Sequence, residues 1–478
     1  MTLKKLTLAV AMVLAGQAHA AVPNIVNAIT PVGGAAETVA PFALGPGFTQ
    51  TVIADRVTQN TLVPGSNSGN WDMIDTNDTG ADAGRYLFMP FETGTGGVQR
   101  VDLWDNNYNT RTVTIVAPGT QGFVSGDASR WTPWGTYLTA EESWSDPNQT
   151  ASGKGRLFEV TNPTTAGVNG GDFVHRKIGP ADIRVSHEGL AFDKDNNFYF
   201  IDERNDSGIF KFTSNNPNAN NGADFFANGT ISVLRVGNGL NDTFTNVNEE
   251  ATGAYSWVAL TDANGNALSN AIVKTDANGM KIMDGRATPN VIGLHGTNFD
   301  RPEDMEIETL ADGSQILYVA TTTNDKVFAM DLANNEISLF ASQDTIDAAT
   351  GAAVGGVFNS PDNLAIDKNG DIYIIEDQNS FNDGGVIKHQ ANIWKATDAD
   401  NDGVAESVEV WATLMTQGAE PTGLYFHPVT NEAFVNVQHP SSGNDVLVQI
   451  SAVPEPETYA LMLAGLGLVG FIARRRKA

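Results

Sequence analysis

Cysteine is absent from all 478 residues, which excludes disulfides, thiolate metal ligands and a cysteine nucleophile. Basic residues are scarce: 28 Lys plus Arg stand against 56 Asp plus Glu, a formal charge of −28. With the six basic residues at the two ends set aside, the body stands at −34. No nucleic-acid partner is expected, because phosphate backbones are held by clustered Lys and Arg. HExxH, GxSxG and P-loop motifs are also missing, which argues against a zinc or serine hydrolase. What the chain does have is 48 Gly and 40 aromatic residues, enough to build a globular core with many tight turns.

The two ends read as targeting segments. Residues 1–20 have the order of a signal peptide: Lys4 and Lys5, an apolar stretch from Leu6 to Ala15, and the small-residue site Ala18-His19-Ala20. At the other end Pro454-Glu455-Pro456-Glu457 precedes an apolar stretch from Tyr459 to Ala473 and the cluster Arg474-Arg475-Arg476-Lys477. The segment 453–478 resembles the PEP-CTERM sorting tail of Gram-negative bacteria. That resemblance implies export, contact with inner-membrane sorting machinery, and transient or permanent membrane anchoring. The apolar stretch would span only about 22 Å as a helix, short of a bilayer core of about 30 Å.

Between the ends one plan recurs: a polar or acidic tetrad, a short alternating strand, a Gly/Asn/Asp turn and a second strand ending in acids or amides. The copies begin at Ser186-His187-Glu188-Gly189, Arg301-Pro302-Glu303-Asp304, Ser360-Pro361-Asp362-Asn363 and Glu420-Pro421-Thr422-Gly423. Glu303 to Asp362 is 59 residues and Asp362 to Glu420 is 58, while Glu188 to Glu303 is 115, close to two units. Earlier copies start near Trp71-Asp72 and Thr132. Period-2 alternation predicts half-buried strands, and a repeat of 50 to 60 residues predicts an all-β, six-bladed propeller with loop insertions over 61–452. Residues 21–60 form an extension or a first-blade strand. A sandwich also uses short strands and Gly-rich turns, but does not predict the same tetrad in each repeat.

The ordered set TPWGTYLTAEE (132–142), GRLFEV (155–160), SHEGLAFD (186–193), RPEDMEI (301–307), PDNLAIDKNGDIYI (361–374) and EPTGLYFHPVTNEAFVNVQHP (420–440) resembles the PhoX-type alkaline phosphatases, exported calcium-dependent propeller enzymes. The resemblance implies a mixed iron and calcium centre in the channel. On this chain Glu188, Glu303 and Asp362 would be its carboxylates, with Arg301 at the substrate phosphate and Glu141 and Glu142 on the calcium side. Arg301, Glu303 and Asp362 would then be the catalytic group. Asp202, Glu203, Glu376 and Asp377 end later strands and are further ligand candidates. Where the family carries an iron-binding Cys this chain has Ala140, so an all-oxygen site for calcium, magnesium or manganese is the fitting variant, with iron the family's own metal.

Carboxylates converging on one channel repel one another unless cations occupy it. His187, next to Glu188, would point to the opposite face of an extended segment and either support a ligand from behind or serve packing. His439 follows a strand and could reach the channel end. A separate calcium signal runs from Asp398 to Glu409. Asp398, Asp400, Asp402, Glu406 and Glu409 fall at positions 1, 3, 5, 9 and 12 of a calcium loop with Gly403 at 6, although a polar hairpin uses the same residues. The expected function is an exported metal-dependent hydrolase of small phosphate esters. The alternatives are a catalytically silent calcium-binding propeller, with exopolysaccharide or surface matrix as partner, and a lactonase-like calcium hydrolase, which Asn363 keeps open.

Overall fold

The computed structural model describes residues 37–45, 47–144, 153–276, 278–286, 294–377, 382–383, 386–387, 391–416 and 418–453. The segment 1–20 expected to be a signal peptide and the chain from 454 onward lie outside them. No helix among the described residues is long and apolar enough to cross a membrane.

Six antiparallel blades follow one another along the chain. The first has strands Asp75–Thr76, Tyr86–Pro90, Val98–Asp102 and Thr112–Val116; the second Gly126–Trp131, Tyr137–Glu141, Leu157–Val160 and Phe173–Arg176. The third holds Leu190–Phe192, Phe198–Ile201, Ile209–Ser214 and Gly229–Val236, and the fourth Pro302–Thr309, Gln315–Thr321, Lys326–Asp331 and Glu336–Ser342. An added strand, Gly253–Ala259, pairs with the outer strands of both and bridges them. The fifth blade is Pro361–Ile366, Ile372–Glu376, Asn392–Thr397 and Ser407–Leu414, with Phe42–Leu44 on its edge.

The last blade joins the two ends of the body. Glu420–Phe426, Ala433–Gln438 and Val446–Ala452 are completed by Phe48–Asp55, paired from Phe48↔Ala452 to Asp55↔Val446. The N-terminal strand therefore belongs to the last blade and not to the first. This placement closes the ring, covering an edge that would otherwise offer unpaired backbone groups.

Half-burial of the strands is corrected by the structure. Phe198, Tyr199, Phe200 and Ile201 are all buried, because each blade lies between two others. Phe198 and Phe200 pack toward the second blade with Leu138 and Leu157, while Tyr199 and Ile201 pack toward the fourth with Leu317 and Val319. Period-2 alternation here sorts side chains between two apolar interfaces. Six such clusters exist among the described residues, one per blade boundary. Each fully buried large side chain contributes about 1.5–3 kcal/mol. Near the axis polar bonds link blade to blade, among them Trp131 N–H to Asp75 (2.5 Å), Leu364 N–H to Asp304 (3.0 Å) and Thr422 Oγ1–H to the Trp71 carbonyl (2.9 Å).

Candidate metal centre and phosphate site

Five of the six inner strands begin with the same backbone device. The N–H of Glu92, Glu142, Glu203, Thr322 and Asp377 donates to the carbonyl of Asn70, Ser125, Ser186, Arg301 and Ser360 respectively, at 2.8–3.0 Å. Asn70, Ser125, Arg301 and Ser360 sit at positive φ (47°, 39°, 50° and 47°), a conformation that costs a non-glycine residue about 1–3 kcal/mol. A register shift follows in several blades, between Gly126 and Ser129, Pro302 and Met305, and Pro361 and Leu364. The strained entry and the bulge together aim the next side chain at the axis.

This places Asp127, Glu303 and Asp362 in equivalent positions, with Asp72 and Glu188 at the matching points of the first and third blades. In the last blade Pro421 matches Pro302 and Pro361, so Thr422 takes the acid's position. Glu420 thus occupies the position of Arg301, two residues upstream of where the 58-residue spacing put it. Its charge still raises the pKa of Asp72, Glu92 and Asp362. The second strands add Glu92, Glu142, Glu203, Thr322, Asp377 and Gln438. The first strands thus give Asp72, Asp127, Glu188, Glu303, Asp362 and Thr422 and the second strands their own six, two rings of side chains around the axis with one residue of each per blade.

The paired acids at strand ends divide their labour. Glu141 accepts from Arg156 Nε (2.9 Å), from the Arg156 N–H (3.1 Å) and from Arg156 Nη2 (2.5 Å), so it is held away from the axis and does not join the acid group. Glu142, one residue on, does join it. Asp202 accepts the Ser186 N–H (2.8 Å), and Glu203 faces the axis. Glu376 accepts from Trp394 Nε1 (2.7 Å) and from the N–H of Asn392 and Asn359. Asp377 instead lies 3.7 Å from Arg301 Nη1.

Two groups of oxygens come within 4.8 Å of one another: Glu188, Glu203 and Glu303, and Asp127, Glu142 and Glu203. Glu203 is common to both. Burial, and then the neighbouring carboxylates, push Asp72, Glu92, Asp127, Glu188, Glu203 and Asp362 well above the usual carboxylate range. Arg301 Nη2 reaches Glu303 (2.9 Å) and Glu203 (3.1 Å), and Thr322 Oγ1–H donates to Glu303 (2.6 Å). Among the described residues Glu303 Oε2 is buried without a partner. Hard carboxylate oxygens, an orphaned one among them, fit divalent cations such as calcium.

His187 is buried against Phe200 with neither ring nitrogen bonded, and burial with the nearby Arg184 and Arg286 lowers it to about 3. That is the packing role its sequence position suggested. His439 lies 3.1 Å from Glu420; burial opposes its charge, but the Glu420 bond lifts it to about 10. Ala140 packs in the apolar cluster between the second and third blades with Leu138 and Leu157. Asp72, Glu92, Asp127, Thr322 and Gln438 were not singled out as ligands from sequence. Gly126-Asp127 and Phe91-Glu92 carry only the weak signal of an acid beside a strand.

In the distal loop, Asp398, Asp400 and Glu406 bring oxygens within 4.8 Å of one another. Asp398 also accepts from the N–H of Gly403 (2.9 Å) and Asp402 (3.2 Å). Asp402 is turned to the Val404 N–H (2.9 Å), and Glu409 lies in strand Ser407–Leu414 paired with Lys395, so neither joins that group.

The family model for alkaline phosphatase PhoX matches residues 127–441, the span that supplies the second to fifth blades and two strands of the last. The chain belongs to the alkaline phosphatase PhoX family. A PEP-CTERM protein-sorting motif matches residues 452–477, the mark of an exported protein. Among solved structures the fold is similar to Pseudomonas fluorescens PhoX in complex with vanadate, a transition-state analogue. The TM-score is 0.59 at 17% identity, covering 90% of this chain and 98% of that one. A putative phosphatase from Bacteroides thetaiotaomicron gives a TM-score of 0.42 at 12% identity, covering 81% and 72%. No curated protein matches.

Proposed function

We propose that this PhoX-family propeller is an exported, metal-dependent hydrolase of phosphate esters, and that the acid rings around Arg301 are its active site. The observation that carries the reading is Arg301 held by Glu203 and Glu303 at the edge of the two carboxylate groups, a cationic fork beside a site built for cations. Glu188, Glu203 and Glu303, with Asp127 and Glu142, would hold divalent cations, calcium first, with magnesium, manganese or iron as the other metals of the reading. Bound there, such ions supply Lewis acidity and lower the pKa of attacking water.

The chain's own residues bind and orient. Arg301 offers its guanidinium to two phosphoryl oxygens, and its buried Nε–H makes no bond among the described residues. Trp144 lies over that guanidinium, 5.5 Å from ring centre to Arg301 Cζ, and its Nε1–H donates to Glu203 (3.1 Å), which limits its movement. Asn363 donates to Glu188 (2.9 Å) and fixes that carboxylate. In the overall step a water oxygen bonds to phosphorus and the P–O bond to the alcohol breaks. The alcohol oxygen takes the proton the water gives up, leaving phosphate.

Asp398, Asp400 and Glu406 form a separate structural calcium position on the fifth blade. Export and the sorting tail put the propeller outside the cytoplasm, in the periplasm, at the cell surface or beyond it, and the binding-propeller alternative would take an exopolysaccharide matrix as its partner. Elemental analysis of the exported protein, paired with phenyl phosphate hydrolysis before and after chelation, tests the reading. Bound divalent metal and turnover lost with it are expected. Metal without turnover would leave a binding propeller.

A further inference from the structure

Beside Arg301 and away from the acid rings lies an open pocket of about 370 Å³ that the proposed chemistry does not use. Arg301 and Thr322 form the wall it shares with the rings, and Thr323, Asp325, Gln343 and Ser360 line much of the rest. Neither an aromatic ring nor a branched aliphatic side chain lines it among the described residues. This is the wrong surface for a flat aryl group, which gains affinity by burying apolar area.

The polar groups are fixed and rich in acceptors. Asp325 accepts the Ser360 N–H on one oxygen and Gln343 Nε2 on the other, both at 2.7 Å. The bond to Nε2 orients Gln343 and leaves its carbonyl oxygen as an acceptor. Thr323 Oγ1–H donates to Asn205 (2.9 Å), which likewise leaves its lone pairs to accept. A ligand that donates several hydrogen bonds from one compact ring meets these groups; a monosaccharide does this with its hydroxyls.

We propose that this pocket binds the sugar of a sugar phosphate, so that the ester placed on Arg301 extends its alcohol part over Thr322 toward Gln343 and Asp325. The inference rests on the phosphatase reading and adds the substrate class. A site that hydrogen-bonds hydroxyls discriminates against analogues that lack them, here by a moderate factor because Asp325 and Gln343 are half-buried and Thr323 is exposed.

The test compares glucose 6-phosphate with phenyl phosphate on the metal-loaded exported protein. The unsubstituted protein should show the higher kcat/KM on glucose 6-phosphate. Gln343→Ala should lower that value about tenfold, mainly through KM, and change the value for phenyl phosphate by about twofold or less, so the ratio between the substrates collapses. Thr323→Val, at an exposed position where folding is not at stake, should move the ratio in the same direction by a smaller factor. Phenyl phosphate turned over as well as or better than glucose 6-phosphate, or both variants shifting the two substrates equally, would overturn the sugar pocket and leave the phosphatase intact. Hydrolysis of neither ester would overturn both.

Discussion

Asn363 Nδ2–H donates to Glu188 Oε1 at 2.9 Å across 175 residues of chain, while Asn363 Oδ1 accepts the Gly423 N–H at 2.6 Å. One amide thus ties the third, fifth and last blades together at the level of the acid ring. Asn363 is 1% exposed and its two polar ends are both engaged, so its role here is to hold the ring in shape.

Asn363→Leu removes both bonds at nearly constant volume and leaves Glu188 and the Gly423 N–H unsatisfied. The expected cost is about 2–6 kcal/mol in denaturant unfolding, from two buried groups at about 1–3 kcal/mol each. Divalent-metal affinity should weaken about tenfold or more, since the groups that orient ligands typically carry that much. Unchanged metal affinity in calorimetric titration would remove Asn363 from any supporting role.

Arg301→Lys keeps the charge among Glu203, Glu303 and Asp377 but replaces a planar fork with a single ammonium. Stability should change little, because the carboxylates keep a cation beside them. Phosphate-ester turnover should fall about 100-fold in kcat/KM, the scale of one lost preorganised donor. An equal loss for Arg301→Lys and Arg301→Ala would assign the effect to geometry; a near-normal Lys variant would reduce Arg301 to a charge.

The repeat was legible because every blade opens with the same task. An acid or polar residue must be aimed at the axis, then a strand must bury both faces, and LAFD, LAID and FYFI carry that pattern openly. The phase within each repeat was not legible. Glu141 and Glu142 look alike in sequence, and only the strand direction, with Arg156 waiting on one side, decides which is held by a salt bridge and which faces the channel. Glu420 misled for the same reason: its 58-residue spacing fits, but the proline that follows it sets the register and gives the axial position to Thr422. Asp72, Glu92 and Asp127 escaped because their blades depart from the tetrad, so position in three dimensions identifies them and local sequence does not.

The distal loop separates two ligand sets that sequence spacing treats as one. Asp400→Asn should abolish one calcium equivalent, because Asp400 belongs to the converging group with Asp398 and Glu406. Glu409→Gln should leave that equivalent in place, since Glu409 is committed to strand Ser407–Leu414. Calcium titration followed by stoichiometry at saturation distinguishes them. The reverse order of effects would restore the twelve-residue loop and contradict the grouping.

Glu376 makes a pH test that does not depend on catalysis. Burial lifts its pKa to about 8, against bonds from Trp394, Asn392 and Asn359 that pull the other way. Its unfolded value is near 4.5. Between those two values the folded state keeps a proton that the unfolded chain has lost, so the contribution to stability is whole below pH 4.5. It is lost as pH rises toward about 8, by at most about 1.4 kcal/mol per pH unit. Glu376→Gln cannot titrate, and its amide nitrogen opposes one of the N–H donors, at a cost of about 1–3 kcal/mol. At pH 5 the variant should therefore be the less stable protein. By pH 8.5 the difference should shrink or change sign, because the wild type has by then been forced to ionise a carboxyl in the core. Urea unfolding of the chelated proteins at both pH values measures the two differences and removes the ring cations from the comparison. A difference that stays constant from pH 5 to pH 8.5 would mean that Glu376 is ionised throughout and that its three donors outweigh its burial.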